Sequence, residues 1–454
     1  MDNVEVTPTA HKPYEFVVHT FGCKVNTYDT GLIQKNLSQN GFQVSANKKS
    51  ENAIHVLNTC AVTAEATQQA VRLIRQIKAK QPLATVVVTG CAAQVDTGSF
   101  EKLPGANLVV ANSHKGMLPQ LLDQYFKGDL QQKTFKSNIF KKDDLEMGGG
   151  EELQHTRSFL KIQDGCNSFC TFCIIPYARG KSRSIPVMNL IQKIKELEKQ
   201  NAKEVVLTGV HIGDYADETF PAAVKGLEDL VEAVLKQTSI ARIRLSSLEP
   251  IELSDRLVEL FKNPRLCAHF HMSIQSADTE VLKEMKRKYT ELEVRGSLEK
   301  IAARVPNAFV GMDVIAGFPT ETDEQFENTY RILSETPWTR LHVFPYSERQ
   351  GTRAAVLPQV HQMKRKERAQ RLRELSLHRL QSEALKQIGT TKSVLVLNKP
   401  SSSYQGVSRD YWNVHLGLNE EQIVRHKNSE VQVQITSVEI QDQDVVLKAG
   451  LVHA

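Results

Sequence analysis

No stretch of this 454-residue chain approaches the ~18 uninterrupted apolar residues of a membrane-spanning helix. The first residues, MDNVEVTPTAHKPYEF, lack the apolar segment that a secretory leader needs. Charge of one sign is also in short supply. Fifty-seven Lys/Arg against 52 Asp/Glu leave a net charge of +5, which permits an RNA partner without demanding one. Low-complexity tracts are absent. These shortages point to a cytoplasmic enzyme with no membrane role, long enough for about three domains. In a reducing compartment seven cysteines suggest metal or catalysis rather than disulfides. The most telling shortage lies in residues 164–180, DGCNSFCTFCIIPYARG, where three cysteines cluster and no fourth stands nearby.

What is present is a repeated layout. FVVHTFGC ends at Cys23, IHVLNTC at Cys60 and VVVTGC at Cys91, each a β-branched apolar run stopping at a cysteine. Helical patterns follow the first two, the second with Ala70, Val71, Ile74 and Ile77 on one face. Strands alternating with helices predict a parallel sheet, whose strand C-termini share one edge. Cys23, Cys60 and Cys91 should therefore gather there. Residues 14–125 form this N-terminal parallel α/β domain, and 126–151, with Gly148–Gly150, reads as a linker.

From 152 to 388 the grammar recurs at greater length. FLKIQ, EVVLTGV, ARIRLSS, HFHMSIQ, FVGMDVIAGF and RLHVFPY are strand-like, with helix-like segments between them. Thr322 and Gln325 have the spacing of a capping box. Six such units predict a partial (β/α)6 barrel with its functional groups at the strand C-termini. Residues 362–388 form a basic helix, with either a solvated face or RNA as its target. Residues 389–454 turn to short alternating strands, predicting a small antiparallel five-stranded β-barrel. Six Lys/Arg and seven Asp/Glu nearly cancel in it, so RNA contact there rests on shape or on Tyr404, Tyr411 and Trp412.

Cys166, Cys170 and Cys173 follow a strand with C-x3-C-x2-C spacing. Thiolates suit zinc or an iron–sulfur cluster. A structural zinc is normally closed by a fourth protein ligand, for which Cys267 or His269 would have to approach. The alternative is a [4Fe–4S] cluster with one iron left open. Thr208, Gly209, Ser246, Ser247 and Gln275 lie at strand C-termini, where they either line a pocket or make strand-end hydrogen bonds. Cys267 reads as a buried thiol. His211, His269 and His271 read as hydrogen-bonded polar groups. Asp313 faces either a substrate or a helix N-terminus.

The triad, with Phe172 just before its last cysteine, resembles the radical S-adenosylmethionine superfamily. HTFGCKVNTYDT, NTCAVTAEA, TGCAAQ, FLKIQDGCNSFCTFCIIPYARG, LTGVHIGDY, RLSSLEP, SIQSAD and VIAGFPTET resemble the signature blocks of its methylthiotransferase family, over residues 14 to about 450. The resemblance implies a radical barrel, a TRAM-like RNA-binding C-terminal barrel and two [4Fe–4S] clusters. Cys23, Cys60 and Cys91 would hold the auxiliary cluster, and Cys166, Cys170 and Cys173 the one that binds S-adenosylmethionine. Phe172 would contact the cofactor's adenine. One S-adenosylmethionine would methylate sulfur on the auxiliary cluster. A second would be cleaved to a radical that takes hydrogen from a substrate carbon, which then receives the methylthio group. The implied partners are the tRNA anticodon stem-loop, an electron donor and a sulfur donor. The motifs are most similar to the branch acting on N6-threonylcarbamoyladenosine at tRNA position 37. Asp29, where glutamate is common, and Ala92, where an aromatic is common, depart from it. The other branches act on N6-isopentenyladenosine or on an aspartate of a ribosomal protein. A zinc-stabilised, non-catalytic RNA-binding protein is the reading from a different class.

Overall fold

A computed structural model describes residues 14–45, 52–143, 145, 156–219, 226–398, 401, 404–441 and 444–452. Gly148–Gly150 and residues 1–13 lie outside them. The chain divides into two compact units, the first ending at Lys142.

The first unit holds a six-stranded parallel sheet. Its strands are β1 (Glu15–Thr20), β2 (Gln43–Val44), β3 (Ile54–Thr59), β4 (Thr85–Gly90), β5 (Leu108–Ala111) and β6 (Thr134–Phe135), in the order β2-β1-β3-β4-β5-β6. Every residue of β3 and β4 is buried, which is why both read as unbroken apolar runs. Helix Ala64–Lys80 turns Ala70, Ile74 and Ile77 inward, while Val71 is half-buried. The order reverses between β1 and β3. In doubly wound sheets the crevice beyond such a switch point takes ligands. The stretch expected as a linker from residue 126 begins with the end of helix Leu118–Lys127 and then supplies β6. A two-residue edge strand has too little pattern to be seen in sequence.

In the second unit β7 (Arg157–Lys161) is followed by a two-residue hairpin pair, β8 (Gln163–Asp164) with β9 (Arg183–Ser184). Then come β10 (Glu204–Thr208), β11 (Arg242–Leu245), β12 (Ser247–Leu248), β13 (His269–Gln275), β14 (Phe309–Ala316) and β15 (Arg340–Pro345). The sheets β11-β10-β7 and β12-β13-β14-β15 are parallel throughout and meet where the chain bends at Ser246. The result is the expected partial barrel of six β/α units. Helices on its outside bury their apolar faces, for example Leu190, Ile191, Ile194 and Leu197 of Val187–Lys199. Thr322 and Gln325 do form a capping box.

The C-terminal strands are β16 (Thr391–Val396), β17 (Gly406–Ser408), β18 (Asn413–His415), β19 (Glu430–Gln441) and β20 (Asp444–Leu451), closed as β16-β17-β18-β20-β19. The barrel is not wholly antiparallel as expected: β18 and β20 pair parallel. Helix Glu420–His426 and β19 intervene, so β20 returns in the direction of β18. Its core takes in Leu380 and Ala384 of helix Gln362–Leu385 and Phe309 of β14.

This packing bears on two expectations about RNA. Trp412 is buried, and Tyr411 lies against the His269 ring at 3.9 Å with the Arg244 guanidinium 4.8 Å above it. Both aromatics join the small barrel to the large one. Helix Gln362–Leu385 keeps an exposed face that includes Lys366, Glu367, Gln370 and Glu374, but much of its positive charge is turned toward the barrel. Arg368 bonds Glu321 and Asp323, Arg371 bonds Glu327, Arg373 bonds the Val343 carbonyl, and Arg379 bonds the carbonyls of Ser334 and Thr336. These four arginines fasten the helix to the barrel.

Candidate active site

In the first unit, Cys23 caps helix Lys24–Gln39, Cys60 follows β3 and Cys91 opens helix Cys91–Val95. Three adjacent strands thus deliver three cysteines to one sheet edge, and β1 and β3 flank the switch point. Close packing enforces this. A Cβ on Gly22 would lie 2.6 Å from both Cβ and Sγ of Cys60. A Cβ on Gly90, whose φ is +92°, would lie 2.5 Å from the Thr59 amide nitrogen and carbonyl oxygen. Buried amides tie the loops together. Asn26 donates to the carbonyls of Phe21 (2.7 Å) and Thr59 (3.0 Å), and Asn58 donates to the Asn26 carbonyl (2.9 Å). Asn112 points its Nδ2 at Cys91 Sγ, 3.7 Å away. Of the two departures from the family pattern, Asp29 forms a buried ion pair with Lys115 at 2.9 Å, and Ala92 is fully buried.

In the second unit the loop bearing Cys166, Cys170 and Cys173 springs from β8. Lys161 and Arg179 hold Asp164 at 3.1 and 2.9 Å, and Asp164 accepts from the Gly165 amide. Gly165 has φ +77°, and a Cβ there would collide with the Lys181 carbonyl, so only glycine turns this corner. Gln163 ties the loop to the next strand end. Its Oε1 accepts from the amides of Val210 (3.1 Å) and His211 (2.9 Å), and its Nε2 donates to the Gly165 carbonyl (2.7 Å) and Ser182 Oγ (2.8 Å).

Thr208 ends β10, and Gly209 leaves room for Gln163, since a Cβ there would be 3.0 Å from the Gln163 carbonyl oxygen and Oε1. Ser246 and Ser247 stand at the bend between β11 and β12, Ser246 buried and Ser247 half-buried. Gln275 ends β13 in a left-handed conformation, φ 63°, beside a bulge. Such strain in a non-glycine residue clusters at functional sites. Phe172 packs edge-to-face on Phe318 at 6.5 Å, with the Arg287 guanidinium 5.7 Å above its ring.

His211 contacts Cys166 Sγ at 3.8 Å and is held by Asp214 at 3.2 Å and by Glu252. Burial works against its charge, but these partners outweigh it and raise its pKa. Burial also works against the Cys166 thiolate, yet His211 and the Ser168 amide bring that thiol below its ordinary range. Burial pushes Cys170 up and Cys173 to about 12, so those two lose their protons on coordination to a metal rather than to water. Glu249 pairs with Arg287, leaving the carboxylates here committed to cations. Neither proposed fourth ligand reaches the triad. Cys267 is buried beside Arg244, its amide on the Ile243 carbonyl, and His269 opens β13 against Tyr411, at the opposite ends of the strands. Asp313 pairs with His271 at 2.9 Å. No cysteine forms a disulfide. His211 stands beside Cys166 as a candidate fourth donor, but its ring nitrogens are taken up by Asp214 and Glu252. The three thiols that remain fit a cluster with one open iron better than a closed zinc site.

Reasoning from the sequence left out Asn26, Asn58, Asn112, Gln163, Glu249 and Arg287. The signal was adjacency, since the first four each stand within a few residues of a cysteine or on the strand end beside it.

A model of the Radical SAM superfamily matches residues 160–333, and one described as uncharacterized protein family UPF0004 matches 15–111. A threonylcarbamoyladenosine tRNA methylthiotransferase of Rickettsia prowazekii is 38% identical over 385 residues, 84% of this chain and 87% of that protein. The chain belongs to the radical S-adenosylmethionine methylthiotransferase family. A tRNA-2-methylthio-N(6)-dimethylallyladenosine synthase of Geobacillus thermodenitrificans shares 33% identity with this methylthiotransferase, over 84% of the chain and 74% of its own. Among solved structures, a radical S-adenosylmethionine methyltransferase from Kitasatospora setae, with cobalamin and a [4Fe-4S] cluster bound, superposes with a TM-score of 0.57. It covers 76% of this chain and 77% of its own at 12% identity, a likeness of fold alone.

Proposed function

We propose that this methylthiotransferase converts N6-threonylcarbamoyladenosine at position 37 of tRNA into its 2-methylthio derivative, using two S-adenosylmethionine molecules and a sulfur donor in the cytoplasm. The observation that carries the reading is the pair of three-cysteine sets, one gathered at the ends of three parallel strands and one on the single loop after β8. Cys23, Cys60 and Cys91 would hold an auxiliary [4Fe–4S] cluster, and Cys166, Cys170 and Cys173 a second. When bound, the second cluster supplies the electron that cleaves S-adenosylmethionine, and the auxiliary one supplies sulfur.

The chain's own residues position these groups. Gln163 and Asp164 fix the loop that presents three thiols. His211 and the Ser168 amide stabilise negative charge at Cys166, and Asn112 does so at Cys91. Phe172, Thr208, Gly209, Ser246, Ser247 and Gln275 would line the cofactor pocket on the barrel's C-terminal side. The substrate is the anticodon stem-loop, and the greater identity to the threonylcarbamoyladenosine relative than to the dimethylallyladenosine relative favours that base.

The test is a mass-spectrometric comparison of tRNA nucleosides from a strain lacking this protein with those of its parent. Loss of 2-methylthio-threonylcarbamoyladenosine, with its unmethylthiolated precursor accumulating, is expected. An unchanged level of that nucleoside defeats the substrate assignment, and loss of the isopentenyl derivative instead moves the enzyme to the other tRNA branch.

A further inference from the structure

The cysteine loop of the second unit has two sides. Phe172 faces inward, packed with Phe318, Tyr346 and Ile315 under the Arg287 guanidinium. Phe169 and Tyr177 lie on the outer side as an edge-to-face pair at 6.0 Å, 36% and 43% exposed. A cavity of about 210 Å³ opens there, lined by Cys170 and Cys173 together with Phe169, Tyr177, Lys286 and Arg353. Two of the three cysteines thus line a cavity on this outer side.

Lys286 and Arg353 are exposed, and neither is ion-paired among the described residues. Both ride on segments bonded directly to the cysteine loop. The Thr171 amide donates to the Met285 carbonyl at 3.2 Å, and the Ala354 amide donates to the Thr171 carbonyl at 2.8 Å. An exposed aromatic pair beside unpaired cations has the make-up of a small transient interface, with an apolar centre and a charged rim that steers encounter.

We infer that this outer face is the docking surface for an acidic one-electron donor protein. The inference rests on the reading of Cys166, Cys170 and Cys173 as cluster ligands. The proposed reaction requires one electron at that cluster for each cofactor cleaved. The donor is oxidised by one electron and the cluster reduced by one, with no proton or group transferred. An electron needs only proximity to the cysteines that would hold the cluster, whereas the cofactor's expected contact, Phe172, lies on the inner side. The aromatic pair and the two cations line the same cavity as Cys170 and Cys173. That placement favours a redox protein over RNA, whose phosphates would also be attracted to Lys286 and Arg353.

The test uses the full chain with both clusters reconstituted, in wild-type form and as the Lys286→Glu, Arg353→Glu double variant. Photoreduced flavodoxin, an acidic flavoprotein, and dithionite are compared as reductants. Affinity for flavodoxin is measured by titration, the rate of cluster reduction by stopped-flow absorbance, and affinity for tRNA by filter binding. Reversing both charges should lower the flavodoxin affinity and second-order rate at least about tenfold at low salt and remove their salt dependence. Iron content, the dithionite rate and tRNA affinity should be unchanged. Unchanged flavodoxin binding and rate would overturn the inference, as would weakened tRNA binding with an unaltered flavodoxin rate. Wild-type protein that takes up no iron on this triad would instead defeat the ligand reading itself. A Lys286→Arg, Arg353→Lys variant should behave as wild type, and its failure would show that shape, not charge, governs the face.

Discussion

Gln163 offers the sharpest test of how the site is held. Replacing it with leucine, which is close to it in size, removes both ends of the clamp between the cysteine loop and the end of β10. The amides of Val210 and His211 lose their acceptor, and the Gly165 carbonyl loses its donor. Ser182, half-buried, turns to water instead. Each stranded buried group costs roughly 1–3 kcal/mol. Val210 and His211 are only half-buried, so the low end applies and the sum is about 3 kcal/mol. That is more than a hundredfold in the equilibrium between the ordered loop and open alternatives. Anaerobic reconstitution followed by iron and sulfide analysis of Gln163→Leu should give about half the wild-type iron, retained on the first unit. Cofactor cleavage, which the second cluster would carry, should be nearly abolished. Gln163→Glu keeps the acceptor for the two amides and should hold more iron than the leucine variant. Full iron and wild-type cleavage in Gln163→Leu would refute the idea that this clamp orders the loop.

Glu204 is fully buried, and Arg244 and Arg242 hold its carboxyl well below the ordinary range even though burial opposes its charge. A depressed folded-state pKa means its stabilisation is complete above the unfolded value of about 4.3 and is lost as pH falls toward the folded value. Glu204→Gln should therefore cost about 3–5 kcal/mol at pH 7, read by denaturant melts, and the gap to wild type should narrow below about pH 4. Arg379→Ala should lower stability by about 1 kcal/mol and leave tRNA affinity within twofold, because this side chain binds barrel carbonyls. Gly90→Ala should abolish iron on the first unit while the second keeps its own. At φ +92° a methyl group meets the Thr59 backbone, and differential iron analysis reads the result.

Much of the architecture was legible because parallel strands buried on both faces are apolar without interruption. Runs ending at Cys23, Cys60 and Cys91 named β1, β3 and β4, and six longer units named the barrel. The edge strands β2 and β6 were not legible, since two residues carry no periodicity. The helix at 362–385 was visible, but the destinations of its cations were not. Arg368 finds Glu321, and Arg373 finds the Val343 carbonyl, partners that lie 47 and 30 positions away in sequence. Separation in sequence also hid the place of Tyr411, whose ring lies tilted against His269. Of the site, the thiols declared themselves by spacing. The amides that orient them did not, because a buried Gln or Asn is indistinguishable in sequence from an exposed one.

The central claim is that the two cysteine sets serve one reaction in different roles. The direct measurement reconstitutes wild type, Cys170→Ala and Cys60→Ala with iron and sulfide. Each is incubated anaerobically with S-adenosylmethionine, reductant and tRNA carrying threonylcarbamoyladenosine, and both cleaved cofactor and 2-methylthio nucleoside are quantified. Wild type should yield both, Cys170→Ala neither, and Cys60→Ala cleaved cofactor without the nucleoside. Equal cleavage by the two variants, or methylthio product from Cys60→Ala, would contradict the account.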